Sequence, residues 1–241
     1  VYYTIMRLVY ADHHISPFEG SPRAGAAEYV LGGMLVQEGC YKPTNQIKKI
    51  VRIMTKFRTE SDLIGDLQVP ADAYYGVQTQ RAIENFRITG TKMGDYRACV
   101  KAIGYVKLAA AQTNHALGLL PDTLLKPISE ACKEVIDGKF DSQFPVDMIQ
   151  GGAGTSVNMN ANEVIANRAL ELMGYEKGDY SHCSPNDHVN QSQSTNDAYP
   201  TTVKLAVIMM NKSLIKKLQL LIEVFRKKGQ EFADVIKMGR T

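Results

Sequence analysis

Two short stretches of the chain concentrate the residue types that hold a carboxylate. The first, Gly151-Gly152-Ala153-Gly154-Thr155-Ser156-Val157-Asn158-Met159-Asn160, runs on into Ala161-Asn162-Glu163. Its glycines free the backbone for positive φ and for the close approach of a ligand. Two hydroxyls follow at once, then side-chain amides at alternate positions. A helix mouth with hydroxyls and unpaired N–H groups suits a carboxylate or a phosphate, because the helix dipole and the amides both favour negative charge. The competing reading is a glycine turn whose Thr and Asn merely cap the helix. No Gly-Lys-Ser/Thr follows, which excludes a P-loop. The second stretch is Asn190-Gln191-Ser192-Gln193-Ser194-Thr195-Asn196-Asp197, an unbroken polar run ahead of a long apolar-periodic segment. A cap needs only one Ser, Thr or Asp. The surplus is either a solvated loop or a set of donors for a carboxylate, and two such turns, each opening a helix, favour the second.

The elements that must position these mouths read as mostly helical. Val164, Ile165, Leu170 and Leu172 continue the first mouth as a helix closed by Gly174, and Tyr175–Gln193 reads as loop. Upstream, Leu63–Asp66 and Val69–Asp72 suggest a small hairpin, and Thr79–Phe86 a short helix with an Arg81–Glu84 pair at i,i+3. Asp95 is expected to cap a helix with a broad apolar face of Cys99, Val100, Ile103, Val106, Leu108 and Ala110, ended by Gly118. Pro121-Asp122 opens another, through Leu124, Ile128, Cys132 and Ile136, to Gly138. Lys139–Ile149 then runs extended to the glycine turn.

The last element is the longest, from about Asn196 to Ile236. Val203, Val207, Met210, Leu214, Leu218, Leu221, Phe225 and Phe232 form one apolar row, with Leu205, Ile208, Ile215 and Ile222 beside it. Pro200 falls in the first turn, where its missing N–H costs nothing. Two apolar rows exceed what one neighbour can cover, so the helix is expected in a bundle shared between subunits, against the alternative of burial within one chain.

Composition sets the broad class. With 241 residues, 44% apolar and 22% charged, the chain reads as an ordinary globular protein able to bury a core. A net charge of +3, with no aromatic-and-basic stripe, gives no case for nucleic acid. No apolar run reaches the ~20 residues of a membrane span, and no signal peptide is legible. Cys40, Cys99, Cys132 and Cys183 are too scattered for a zinc site or redox pair, as in a reducing cytoplasm. Residues 1–53 read differently from the rest, broken by Pro17, Pro22, Pro43 and five glycines. Within them only Ala24–Val36 suggests a short helix, and His13-His14 point to opposite faces if extended. Met54 is a candidate start, with 1–53 an appendage.

Several ordered motifs together carry a resemblance: Val69-Pro-Ala-Asp-Ala-Tyr-Tyr-Gly76, Gln80-Arg-Ala-Ile-Glu-Asn-Phe86, Gly151–Glu163, Pro185-Asn-Asp-His-Val-Asn190 and Gln193-Ser-Thr-Asn-Asp197. Over about residues 57–241 the chain resembles the aspartase/fumarase superfamily, and within it the aspartate ammonia-lyase branch. Class II fumarases differ in carrying a serine where Ala153 stands and a histidine where Ser184 stands.

The resemblance implies a mainly α fold: an N-terminal lyase domain over 54–195, and over 196–241 the first long helix of a central helical bundle. Four subunits would pool such bundles into a homotetramer with active sites shared among three. It implies reversible elimination of ammonia from L-aspartate to give fumarate through an aci-carboxylate, needing no metal or organic cofactor. Thr155, Ser194 and Thr195 would surround the β-carboxylate, Asn196 would help hold the amino group, and Thr241 would contact substrate. The family's serine base lies on a loop beyond residue 241, so no catalytic base is assigned, and His115, His182 and His188 are not promoted to that role. The chain is thus expected to be C-terminally truncated and inactive alone. Fumarate hydratase and a non-catalytic fragment are the alternatives.

Overall fold

The computed structural model describes residues 28–31, 34–37 and 56–239. The chain divides into two compact units, Val1–Thr55 and Lys56–Thr241. In the first, strand β1 (Glu28–Leu31) pairs antiparallel with β2 (Met34–Gln37), Leu31 facing Met34. The short helix expected over Ala24–Val36 is therefore wrong where the structure describes it. Tyr29, Val30 and Val36 favour a pleated strand over a helix. His13-His14, Cys40, Met54 and Thr241 lie outside the described residues.

In the second unit, β3 (Phe57–Asp62) and β4 (Gly65–Pro70) form a hairpin, but not with the strands expected: Leu63 and Ile64 are its turn, and Gly65-Asp66 and Val69-Pro70 lie on the same strand. Asp62 Oδ1 takes the N–H groups of Ile64 and Gly65, at 2.9 and 3.2 Å, and pins the turn. Five helices follow: α1 (Val77–Asn85), α2 (Arg97–Ala116), α3 (Asp122–Asp137), α4 (Thr155–Leu172) and α5 (Thr195–Glu231). Val100 and Ile103 of α2, Ile128, Cys132 and Val135 of α3, and Val164, Ile165 and Leu170 of α4 make the core, with Met93 and Phe144 from the connections. Gly104 lets α2 approach α3 so closely that a Cβ there would meet Ile136. The fold is mainly α.

Three local expectations are corrected. Arg81 pairs bidentately with Asp62, at 2.8 and 2.9 Å, rather than with Glu84. A guanidinium fork matched to a half-buried carboxylate outcompetes an exposed neighbour on the same helix. Asp95 closes a single 3-10 turn, Met93–Asp95, by accepting from Lys92 N at 2.9 Å, and α2 begins after it with Tyr96 as N-cap. The Tyr175–Gln193 loop holds one wide π turn, Pro185–Val189, capped by Ser184.

The approach to the glycine turn is fixed by Asp147. Its buried carboxylate accepts from the N–H groups of Ile88, Thr89, Gly90 and Ile149 and from the Thr89 hydroxyl. Burial works against that charge, but the donors from Ile149, Thr89 and Gly90 outweigh it and hold the carboxyl at about 2.

Helix α5 runs 37 residues, about 55 Å at 1.5 Å per residue. Only its start is covered: Ala198, Thr202 and Ala206 are buried, whereas Ile208, Ile215, Leu218, Leu221, Ile222 and Phe225 are all exposed. It ends at Glu231, five residues short of Ile236. No described helix is long and apolar enough to cross a membrane.

Candidate functional site

The two hydroxyl-rich stretches become two helix mouths, and the structure sets them side by side. At the first, Gly152 (φ +69°) and Gly154 (φ +92°) take left-handed conformations that deliver Thr155 as the opening residue of α4. Gly154 has no side chain with which to cap the helix; Gln150 Oε1 reaches across to the Val157 N–H at 2.9 Å. The Thr155 side chain stands exposed at this opening.

At the second mouth, Ser194 is the N-cap of α5. Its hydroxyl oxygen accepts from Asn196 N at 3.1 Å, and Asp197 returns the bond by accepting from Ser194 N at 3.4 Å. This capping box uses the acceptor side of the Ser194 hydroxyl and leaves its proton for a further partner. Asn196 is exposed beside it.

Two contacts join the mouths. Asn158, in the first turn of α4, donates from Nδ2 to Thr195 Oγ1 at 3.2 Å. One turn into α5, the ring of Tyr199 lies flat against Gly154, in the space a Cβ would need. Thr195 is thus tied directly to α4, while Thr155, Ser194 and Asn196 flank that junction. Thr241 is not among the described residues.

Beneath the junction lies a residue that sequence reasoning missed. Lys107 of α2 is fully buried and donates to Asn158 Oδ1 (2.7 Å), Asn190 Oδ1 (3.0 Å) and Gln193 Oε1 (3.0 Å). An ammonium has three donors and no acceptor, so three amide oxygens satisfy it completely. None of the three partners carries a negative charge. Burial pushes Lys107 down to about 7, with the nearby Cys132 thiol acting the other way. The legible signal was a lysine at helical spacing from Val100, Ile103 and Ala111, on the face that otherwise reads as core. Around it, Asn190 Nδ2 donates to Gln193 O at 3.1 Å, and Asn114 Nδ2 to Gln191 O at 2.8 Å, so the polar run before α5 is a built structure and not a solvated loop.

Other titratable groups are engaged elsewhere. Glu163 turns away from the mouths to cap α1, accepting from Gly76 N, Gln78 N, Thr79 N and the Thr79 hydroxyl. Glu60 takes the Val77 N–H beside it. His115 pairs with Asp122, and His182 stacks on Tyr175 and pairs with Asp179. His188 Nδ1 accepts the Ser184 N–H at 2.8 Å and so holds the π turn. A cleft of about 500 Å³, lined by Asp62, Gln78, Met159, Tyr180 and Asn186 among others, opens on a different flank of α4. Among the described residues no group of His, Cys, Asp or Glu could hold a metal ion.

The junction can be tested at Gly154. A Gly154→Ala substitution is expected to cost about 2 kcal/mol in urea unfolding, from left-handed strain together with overpacking. The collision is with the root of the Tyr199 ring, which cannot swing aside as a flexible chain end would. Unchanged stability would mean that Tyr199 does not seat on the α4 turn.

With this geometry in place, comparison with known proteins is specific. A protein-family profile described as "Lyase" matches residues 65–241. The aspartate ammonia-lyase of Pseudomonas aeruginosa is 56% identical over 184 residues, which is 76% of this chain and 39% of that protein. The aspartate ammonia-lyase of Escherichia coli is 54% identical over 185 residues, again 76% of this chain and 39% of that protein. Among solved structures, a fumarate lyase:delta crystallin from Brucella melitensis, bound to cobalt, superimposes with a TM-score of 0.73 at 51% identity, covering 77% of this chain and 40% of that one. The class II fumarase of Schistosoma mansoni gives a TM-score of 0.70 at 39% identity, covering 77% of this chain and 39% of that one. The chain spans about two fifths of the length of the curated relatives it matches.

Proposed function

The chain belongs to the lyase family, and from that premise we propose that its full-length gene product is an aspartate ammonia-lyase, which interconverts L-aspartate with fumarate and ammonia. The observation that carries this reading is the junction of two hydroxyl-bearing helix mouths through Asn158 and Thr195. The difficult step is removal of a weakly acidic proton beside the β-carboxylate. The carbanion delocalises into that carboxylate as an aci-carboxylate with two negative oxygens. Donors already aimed at those oxygens lower the barrier most, since nothing need reorganise as the charge develops.

Thr155, Ser194 and Thr195 are the proposed donors, with Asn196 at the amino group and Thr241 at the substrate. All are neutral, so they bind charge without exchanging a proton. No described histidine is free at the mouths to act as a base, and that role is assigned to none of them. No metal or cofactor is invoked for the elimination.

The domain division goes with this reading. Residues 54–195 are the N-terminal lyase domain, and 196–241 begin the bundle. The exposed apolar face of α5 would then be covered by further bundle helices, including those of other subunits in a homotetramer. Exposed patches of this size mark an interaction surface.

The relatives support this over fumarate hydration: aspartate ammonia-lyases share 51–56% of the matched residues, and the fumarase neighbour 39%. Assay of the full-length gene product decides between them. Fumarate should form from aspartate and not from malate; the opposite preference would replace this reading with the hydratase.

A further inference from the structure

Lys107 fixes which way three side-chain amides face. Its Nζ donates to all three, so each amide presents its oxygen there and points its nitrogen elsewhere. For Asn158 this leaves Nδ2 directed at Asn190 Oδ1 (3.0 Å) and at Thr195 Oγ1 (3.2 Å). The Thr195 hydroxyl therefore receives a hydrogen bond on its inner side. A hydroxyl has one proton and two lone pairs; with a donor facing it from within, its proton has to turn away from Asn158.

We propose that Asn158 is a positioning residue: by donating to Thr195 Oγ1 it turns the Thr195 hydroxyl into a donor aimed out of the α5 mouth at a substrate carboxylate oxygen. The inference rests on the ammonia-lyase reading and deepens it. Asn158 is almost wholly buried, so its role is to act through Thr195. It acts as the link in a chain that begins at the Lys107 ammonium and ends at the oxygen where negative charge grows. Each hydrogen bond in such a chain polarises the next.

The discriminating variant is Asn158→Asp. It has the same shape and still accepts from Lys107, now as an ion pair, although its outer oxygen then faces Asn190 Oδ1, where Nδ2 had donated, and this lowers the melting temperature. Its outer atom, however, changes from donor to acceptor. Thr195 would then turn its proton inward, and the substrate would lose a donor. In the full-length gene product Asn158→Asp is expected to lower kcat about 100-fold, the usual effect of removing one oxyanion donor. Thr195→Val should do the same, and the double variant should be no worse than either single. Losses that multiply in the double variant, or an Asn158→Asp enzyme with wild-type kcat, would overturn the proposal. A wild type that neither turns over aspartate nor binds the unreactive analogue succinate would instead overturn the ammonia-lyase reading. Neutron diffraction from the wild type reads the same point without any variant. A deuteron on Thr195 Oγ1 directed away from Asn158 supports the assignment, and one directed at Asn158 ends it.

Discussion

A Lys107→Met protein is expected to unfold about 3 kcal/mol more easily than the wild type, because it leaves buried amide oxygens without donors. Methionine matches the lysine stem in length and flexibility, so packing changes little. What disappears is the one group that satisfies Asn158, Asn190 and Gln193 together. Removing a buried charge also brings relief, since the ammonium no longer has to be held out of water. The two effects oppose each other, and the orphaned oxygens win because no described side chain stands ready to replace the donor. For a unit of this size the loss corresponds to a melting temperature lower by roughly 6–12 °C. The same change frees the Asn158 amide to flip, so activity should fall with stability. A Lys107→Met protein as stable as the wild type in urea would mean that the amides satisfy one another and that the lysine is incidental.

This cluster also shows where reading the sequence stops short. The two mouths were legible because they rest on local chemistry: glycines where φ turns positive, and a Ser-x-x-Asp box opening α5. The helices α2 to α5 were legible because period and punctuation agree, as in Pro121-Asp122 opening α3 and Gly138 (φ +90°) closing it. The hairpin of β3 and β4 was legible in kind but not in place, because the apolar pair Leu63-Ile64 reads as strand and is the turn. Lys107 was not, because pattern reasoning expects a lysine at an apolar position to be a solvated exception, and only the fold puts three amides from two other segments around it. The Arg81–Asp62 pair failed likewise: the i,i+3 rule sees Glu84 and cannot see a hairpin folded against α1. The Ala24–Val36 misreading has the opposite cause. There Tyr29, Val30 and Val36 carried a local strand signal that a helical reading passes over.

Glu163 is the second residue whose loss should be severe. It accepts from the backbone of Gly76, Gln78 and Thr79 and from the Thr79 hydroxyl, while Glu60 takes Val77. The N-terminal N–H groups of α1, which lacks any cap of its own, are thereby satisfied from other elements. Glycine at 76 is what allows it, since a Cβ would collide with Glu60, Tyr180 and Glu163. Burial, the largest influence, pushes the Glu163 carboxyl up to about 7, and the neighbouring Glu60 adds to this while the Thr79 hydroxyl and the Gly76 and Gln78 N–H groups resist. A folded value above the ordinary 4.5 means that the native state holds the proton more tightly than the unfolded chain does. The contribution of this group is therefore complete below pH 4.5 and is lost as pH rises through about 7, amounting to about 3 kcal/mol. Glu163→Ala should accordingly cost about 4 kcal/mol at pH 5, as for other broken buried networks, with the gap to the wild type narrowing to about 1 kcal/mol by pH 8. A gap that stays constant across this range would mean that Glu163 is ionised throughout. The effect reaches the site because Phe86, which closes α1, packs against Gly151. Once α1 frays, the glycine turn that opens α4 at Thr155 loses its support.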